Sequence, residues 1–173
     1  CMHSIMRVFI VLVLCMPVFG WSTTRIVQED LFNRNVEGHL KRAAYASTIE
    51  LAEKELEVAV SYLKEHRMTS GYTSILWTTP DEDIGFWYTN LVASLEELRK
   101  VQGGATQLEK SNILMKLRET LVDQGQMVHV TVPRGISIFP HNVAYFFWAF
   151  GSLFVGVVSV IFGLGSAGSG RRY

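Results

Sequence analysis

Apolar residues are arranged along this chain in three ways. Toward the C-terminus they are continuous: VAYFFWAFGSLFVGVVSVIFGL, from Val143 to Leu164, carries no charge. About 20 such residues cross a hydrocarbon core of roughly 30 Å as a helix, so residues 143–165 are expected to span a membrane. Near the N-terminus a shorter run, VFIVLVLCMPVFGW, follows Arg7, and the next charge is Arg25. Between the two runs the apolar residues recur first at helical spacing and then, briefly, at every second position.

The helical spacing predicts three helices. The first runs from about Val36 to His66, with Tyr45, Ile49, Ala52, Leu56, Ala59 and Leu63 alternating at steps of four and three, the seam of a helix packed on other helices. Glu37 with Lys41 and Glu50 with Lys54 add acid-then-base pairs one turn apart. The second helix has Thr79 as its expected N-cap, Pro80 at the first helical position and Glu82 closing a capping box. Its stripe is Ile84, Tyr88, Leu91, Leu95 and Leu98, and Arg99, Lys100 and Gly103-Gly104 mark its end. The third repeats the cap with Thr106 and Glu109, carries Ile113, Leu114, Leu117 and Leu121, and stops at Gly125. After it Met127 to Val132 alternates as a strand does, Pro133-Arg134-Gly135 reads as a turn, and Ile136 to Pro140 reads as a second extended piece, so a small hairpin is expected.

The expected fold is therefore all-α. An exported three-helix antiparallel bundle, or a four-helix one completed by residues 23–34 or by a second chain, carries a short hairpin segment and is followed by a C-terminal transmembrane helix. Along the chain this gives residues 1–21 as a signal peptide or N-terminal membrane anchor and 22–126 as the exported helical domain. Residues 127–142 are an extended juxtamembrane segment, 143–165 the transmembrane helix and 166–173 a short cytoplasmic tail. Arg7, the short apolar core, Pro17 as helix breaker and Val18-Phe19-Gly20 have the layout of a secretory leader cleaved after Gly20. The competing expectation is an uncleaved first membrane helix. Translation is expected to start at Met2 or Met6. The order of leader, helical domain and membrane helix resembles the outer half of bacterial sensory receptors in architecture alone.

Charge sets the expected sidedness. All 16 acidic residues lie between Glu29 and Asp123, while Arg7, Arg171 and Arg172 are the charges outside the middle. Lys and Arg flanking apolar segments stay on the cytoplasmic side. Residues 22–142 are thus expected to be extracytoplasmic (periplasmic or extracellular), the C-terminus cytoplasmic, and the protein single-pass or double-pass. The near balance of charges in the middle argues against nucleic acid as a partner. The two cysteines, Cys1 and Cys15, both sit in the leader, so the exported domain has neither disulfide nor thiol chemistry.

Little else in the sequence suggests chemistry. Asp81-Glu82-Asp83 occupies a helix start, where negative charge suits the dipole, and lacks calcium-loop spacing. His3, His39, His66, His129 and His141 show no zinc-ligand spacing. Neither a nucleophile elbow nor a phosphate-binding loop is present. No catalytic residue, cofactor or metal is expected, and the chain is not expected to be an enzyme.

Two features point instead to contact surfaces. The connection Thr69–Thr79, TSGYTSILWTT, is apolar and uncharged, and it groups Tyr72, Ile75 and Trp77 with Phe86 and Trp87 as a candidate partner-binding loop. The competing reading is a lid over the end of the helices. Ser152, Gly156, Ser159 and Gly163 fall on one face of the C-terminal helix, where small residues permit close helix approach in lipid. The leading expectation is a membrane-anchored interaction protein that acts as a subunit, adaptor or assembly factor. Its partners would be the bilayer and another membrane protein or a second copy. A ligand-sensing domain and an oligomeric pore or lysis-type protein are the alternatives.

Overall fold

The computed structural model describes residues 2–101, 103–123 and 129–168, with side-chain surroundings for those between 9 and 161. The chain is mostly helical. Its elements are α1 (Met2–Phe32), a π-turn (Asn33–Glu37), α2 (Gly38–Ala44), α3 (Ile49–Glu65), α4 (Ile84–Val101), α5 (Gln107–Leu121), β1 (Val122–Asp123), β2 (His129–Val130) and α6 (Asn142–Gly168). Two compact units divide the chain: Gln28–Asn142 is one, and Cys1–Val27 with Val143–Tyr173 is the other.

Within the unit of residues 28–142 one core is shared by α2 to α5 and the end of α1. Phe32, Val36, Leu40 and Ala44 are buried at successive steps of four. In a regular α-helix four residues overshoot a full turn by about 40°. The wider π-turn between Phe32 and Gly38 takes up that drift and keeps the row on one face. Ile49, Ala52, Leu56, Ala59 and Leu63 of α3 meet this row, together with Ile84, Trp87, Leu91, Leu95 and Leu98 of α4 and Leu117 and Leu121 of α5.

The helix expected from Val36 to His66 is two helices. Thr48 ends the continuity: its backbone is extended and its side chain accepts a hydrogen bond from the Leu51 amide at 3.2 Å, capping α3. The short Tyr45–Thr48 link lets α2 pack on α3 instead of extending it. Tyr45 consequently leaves the seam and lies half-exposed beneath the Arg118 guanidinium, 4.5 Å from the ring centre.

The start of α4 also differs from expectation. Thr79 precedes a 3-10 turn, Pro80–Glu82, and its hydroxyl donates to Glu82 Oε2 at 2.8 Å without capping a backbone amide. The cap of α4 is Asp83, whose Oδ1 accepts from the Phe86 amide at 3.0 Å. The residues after Pro80 are held by the incoming loop: Thr73 N donates to Glu82 O at 3.1 Å and Ile84 N to Gly71 O at 2.9 Å. Those tertiary bonds postpone the helix by one turn.

The expected capping box of α5 is present, with Thr106 and Glu109 each bonded to the other's backbone amide. Thr106→Ala is expected to cost about 1 kcal/mol, read as a fall in urea midpoint. The hydrogen bonds from the Thr106 amide and hydroxyl hold the Glu109 carboxyl below the usual carboxylate range. Its stabilising contribution is present above that range and is lost as pH falls through the depressed value. The stability gap between the native chain and Glu109→Gln should therefore be open at neutral pH and close on acidification.

The expected hairpin has a different partner. β2 pairs antiparallel with β1, Val122 facing Val130 and Asp123 facing His129. Ile136–Ile138, expected to be extended, is a 3-10 turn that follows Gly135 in the left-handed region at φ 76°. The residue after α5 already supplies an open backbone edge, so β2 pairs backward, while the Pro133–Gly135 turn tightens into a helical coil. Gly125, Met127 and Val128 lie outside the described residues.

Among the described residues two helices, Phe9–Ala44 and Asn142–Ile161, are long and apolar enough to cross a membrane, and residues 9–27 and 143–161 of them lie in the second unit. Pro17 lies inside α1 and does not break it. Proline removes one amide donor and one turn's bond, and the long apolar turns on both sides sustain the helix. Within this unit α1 and α6 lie side by side. Trp21 stacks on Tyr145 at 5.3 Å, and the Tyr145 hydroxyl donates to Trp21 O at 3.1 Å. A Cβ on Gly20 would stand 3.1 Å from the Trp148 ring, and one on Gly156 would stand 3.6 Å from Val18. Contacts that descend α1 as they ascend α6 make the pair antiparallel.

Candidate functional site

The aromatic loop is built on a fixed base. Gly71 adopts φ 91°, and a Cβ there would meet the Phe139 ring at 3.4 Å. Tyr72 forms a bridge with Asp83, and Asn142 Nδ2 donates to Thr73 O at 2.7 Å. Beyond this base the chain turns on itself, with the Trp77 amide donating to Ser74 Oγ at 3.1 Å. The tip is left in the open: Leu76 is 65% exposed and Trp77 73%, with Ile75 and Tyr72 also exposed. Phe86, one turn into α4, is 67% exposed.

Trp87 does not belong to this surface. It is 9% exposed, and its indole Nε1 donates to Thr131 O at 2.8 Å, tying α4 to the segment after β2. Adjacent helical residues point about 100° apart, so Phe86 and Trp87 cannot share a face. Five residues were expected on one surface, and four are exposed.

Of Asp81-Glu82-Asp83, Glu82 serves the turn and Asp83 the cap through the bonds described above, and Asp81 is exposed. Among the described residues no group of His, Cys, Asp and Glu is placed to hold a metal. A polar cluster that periodicity does not reveal lies between α2 and α3. Glu55, buried in the core face, accepts from His39 Nδ1 at 2.6 Å and from Arg42 Nη2 at 2.5 Å. Its one signal in the sequence is a carboxylate flanking the seam, one residue before Leu56.

The small-residue face of α6 is turned toward α1. Ser152 and Ser159 are buried and Gly156 sits opposite Val18. Gly163 lies beyond the residues whose side-chain surroundings are described. Beside this contact runs an apolar groove of about 650 Å³, walled by Cys15, Val18, Phe19 and Trp21 of α1 and by Phe150, Leu153, Val157 and Ile161 of α6, with Ser152 at its floor. The two serines differ. Ser159 Oγ donates to Val155 O at 2.7 Å, one turn back. Ser152 Oγ is buried, at 3% residue exposure, with no partner, and Trp21 Nε1 is likewise unpaired. Comparison of the chain with protein-family models, with curated proteins and with solved structures finds no match.

Proposed function

We propose that this chain is a membrane-anchored helical interaction protein, acting as a subunit, adaptor or assembly factor of a membrane complex. In this reading α1 and α6 both cross the bilayer. The residues between them form an extracytoplasmic antiparallel helical bundle, and both chain ends are cytoplasmic. Arg7 at one end and Arg171 and Arg172 at the other support that sidedness. The stacking of Trp21 on Tyr145 supports retention of α1 as an anchor.

The observation that carries the reading is the apolar groove of about 650 Å³ beside the contact of α1 and α6, whose walls Phe19, Phe150, Leu153, Val157 and Ile161 stand exposed. In a bilayer, helices associate through close van der Waals packing of complementary surfaces, which such walls offer. A transmembrane helix of a partner protein, apolar along its length, fits these walls.

The test is purification of the full-length protein from its native membrane in mild detergent after cross-linking through the Cys15 thiol, which lines the groove. A stoichiometric membrane protein joined at Cys15 is expected, and Val157→Trp, which fills the groove, should lower its recovery about three- to tenfold. Intact mass should retain the residues before Trp21. Recovery of the protein with lipid alone, or a mass that begins after Gly20, would overturn the reading.

A further inference from the structure

We propose that the Ile75-Leu76-Trp77 tip enters the interfacial layer of the same bilayer that α6 crosses, so that the loop docks on lipid. The inference rests on the reading of α6 as a membrane span.

Its basis is where the loop is tied down. Asn142, whose amide holds the Thr73 carbonyl at 2.7 Å, is the first residue of α6, and the uncharged run begins at the next position. Phe139, three residues earlier, packs against Gly71. The base of the loop is therefore fixed at the residue where the chain enters the apolar helix. From Thr73 to Trp77 an extended chain spans at most about 14 Å. Each interfacial layer is roughly 5–8 Å deep on a hydrocarbon core of about 30 Å. The tip consequently cannot travel far from the surface of the membrane.

The chemistry of the tip suits that layer. No charge occurs from Met68 to Pro80. Leu76 and Trp77 are the most exposed apolar residues of the loop. Tryptophan and tyrosine prefer the headgroup boundary, where the ring is partly buried and the polar edge stays wet. The Ser74 hydroxyl fixes the turn, so little chain entropy opposes insertion. Asp81, exposed on the turn that follows, favours zwitterionic over anionic headgroups.

The experiment uses the full-length chain in phosphatidylcholine vesicles, with Cys1 and Cys15 changed to serine. An environment-sensitive fluorophore is placed at Leu76→Cys, at Leu108→Cys on the exposed face of α5, or at Val157→Cys on α6. Quenching is read with spin labels at shallow and deep positions in the lipid and with aqueous iodide. At Leu76→Cys, shallow-label quenching is expected to exceed that at Leu108→Cys at least threefold, with iodide quenching reduced to a similar degree. Iodide access at position 76 equal to that at 108 would overturn the proposal, as would protection from iodide without lipid quenching, which signifies a protein contact. The Val157→Cys probe separates the two readings. Deep quenching there with no quenching at 76 removes only the loop's role, whereas no lipid quenching at 157 removes the membrane span and the loop's role together.

Discussion

Trp87→Ala is expected to destabilise the unit of residues 28–142 by about 3–5 kcal/mol. The side chain is nearly enclosed by the core, and its Nε1 is the donor to the Thr131 carbonyl. Truncation leaves a cavity in the shared core and removes the bond that holds the segment after β2. Domains of this size are stable by only about 5–15 kcal/mol, so the variant should show a large fall in urea midpoint, and hydrogen exchange should rise around Thr131. Trp87→Phe keeps most of the ring volume and isolates the lost bond, worth about 0.5–1.5 kcal/mol. Trp77→Ala provides the contrast. That side chain is open to its surroundings, and its truncation should alter stability by no more than about 0.5 kcal/mol. Equal losses at positions 77 and 87 would contradict the assignment of one to the surface and the other to the core.

The second large effect is expected at the buried carboxylate. Glu55 lies on the core side of α3, and His39 and Arg42 of α2 each meet one of its oxygens. Arg42 is itself largely exposed, so it reaches inward across the helix surface to the carboxylate. A buried charge stripped of its partners is strongly unfavourable. The double variant His39→Ala/Arg42→Ala should cost about 3–5 kcal/mol. Adding Glu55→Met to that background should restore most of the loss, because an apolar side chain of similar volume needs no partner. Urea unfolding of the three proteins checks this order. If Glu55→Met gives no recovery, the loss comes from the α2 side chains themselves and not from the stranded carboxylate. The cluster ties α2 to α3 through a carboxylate shared by two side chains of the shorter helix.

Features set by near neighbours in the chain could be read from the residues alone. The α5 capping box depends on residues three apart, and Thr106 and Glu109 form it as their spacing implies. The seam of α3 and the stripe of α4 follow from a helical period, and Ile49, Leu56, Leu63, Ile84, Leu91 and Leu98 are buried accordingly. The uninterrupted apolar run toward the C-terminus became a helix of membrane-crossing length, whereas the shorter N-terminal run, expected to break at Pro17, continues through it as one helix. The exposure of the loop tip also agrees with an aromatic segment that has no helical or strand period, although what it contacts is a separate matter.

What the residues did not disclose depends on contacts between distant positions. The indole bond that turns Trp87 inward joins residues 44 positions apart, and the bond at the base of the aromatic loop joins residues 69 apart. The contact of Tyr145 with Trp21, which makes α1 the neighbour of the small-residue face of α6, joins residues 124 apart. The same holds for Asp83 replacing Thr79 as the cap of α4, because the bonds from Thr73 N to Glu82 O and from Ile84 N to Gly71 O hold the residues after Pro80 out of the helix. A run of residues fixes which conformations and which faces are favourable by steric and solvation rules that act over one or two turns. Which face meets which partner, and which polar group is left without one, is decided only when the whole chain closes and segments far apart compete for the same buried surface.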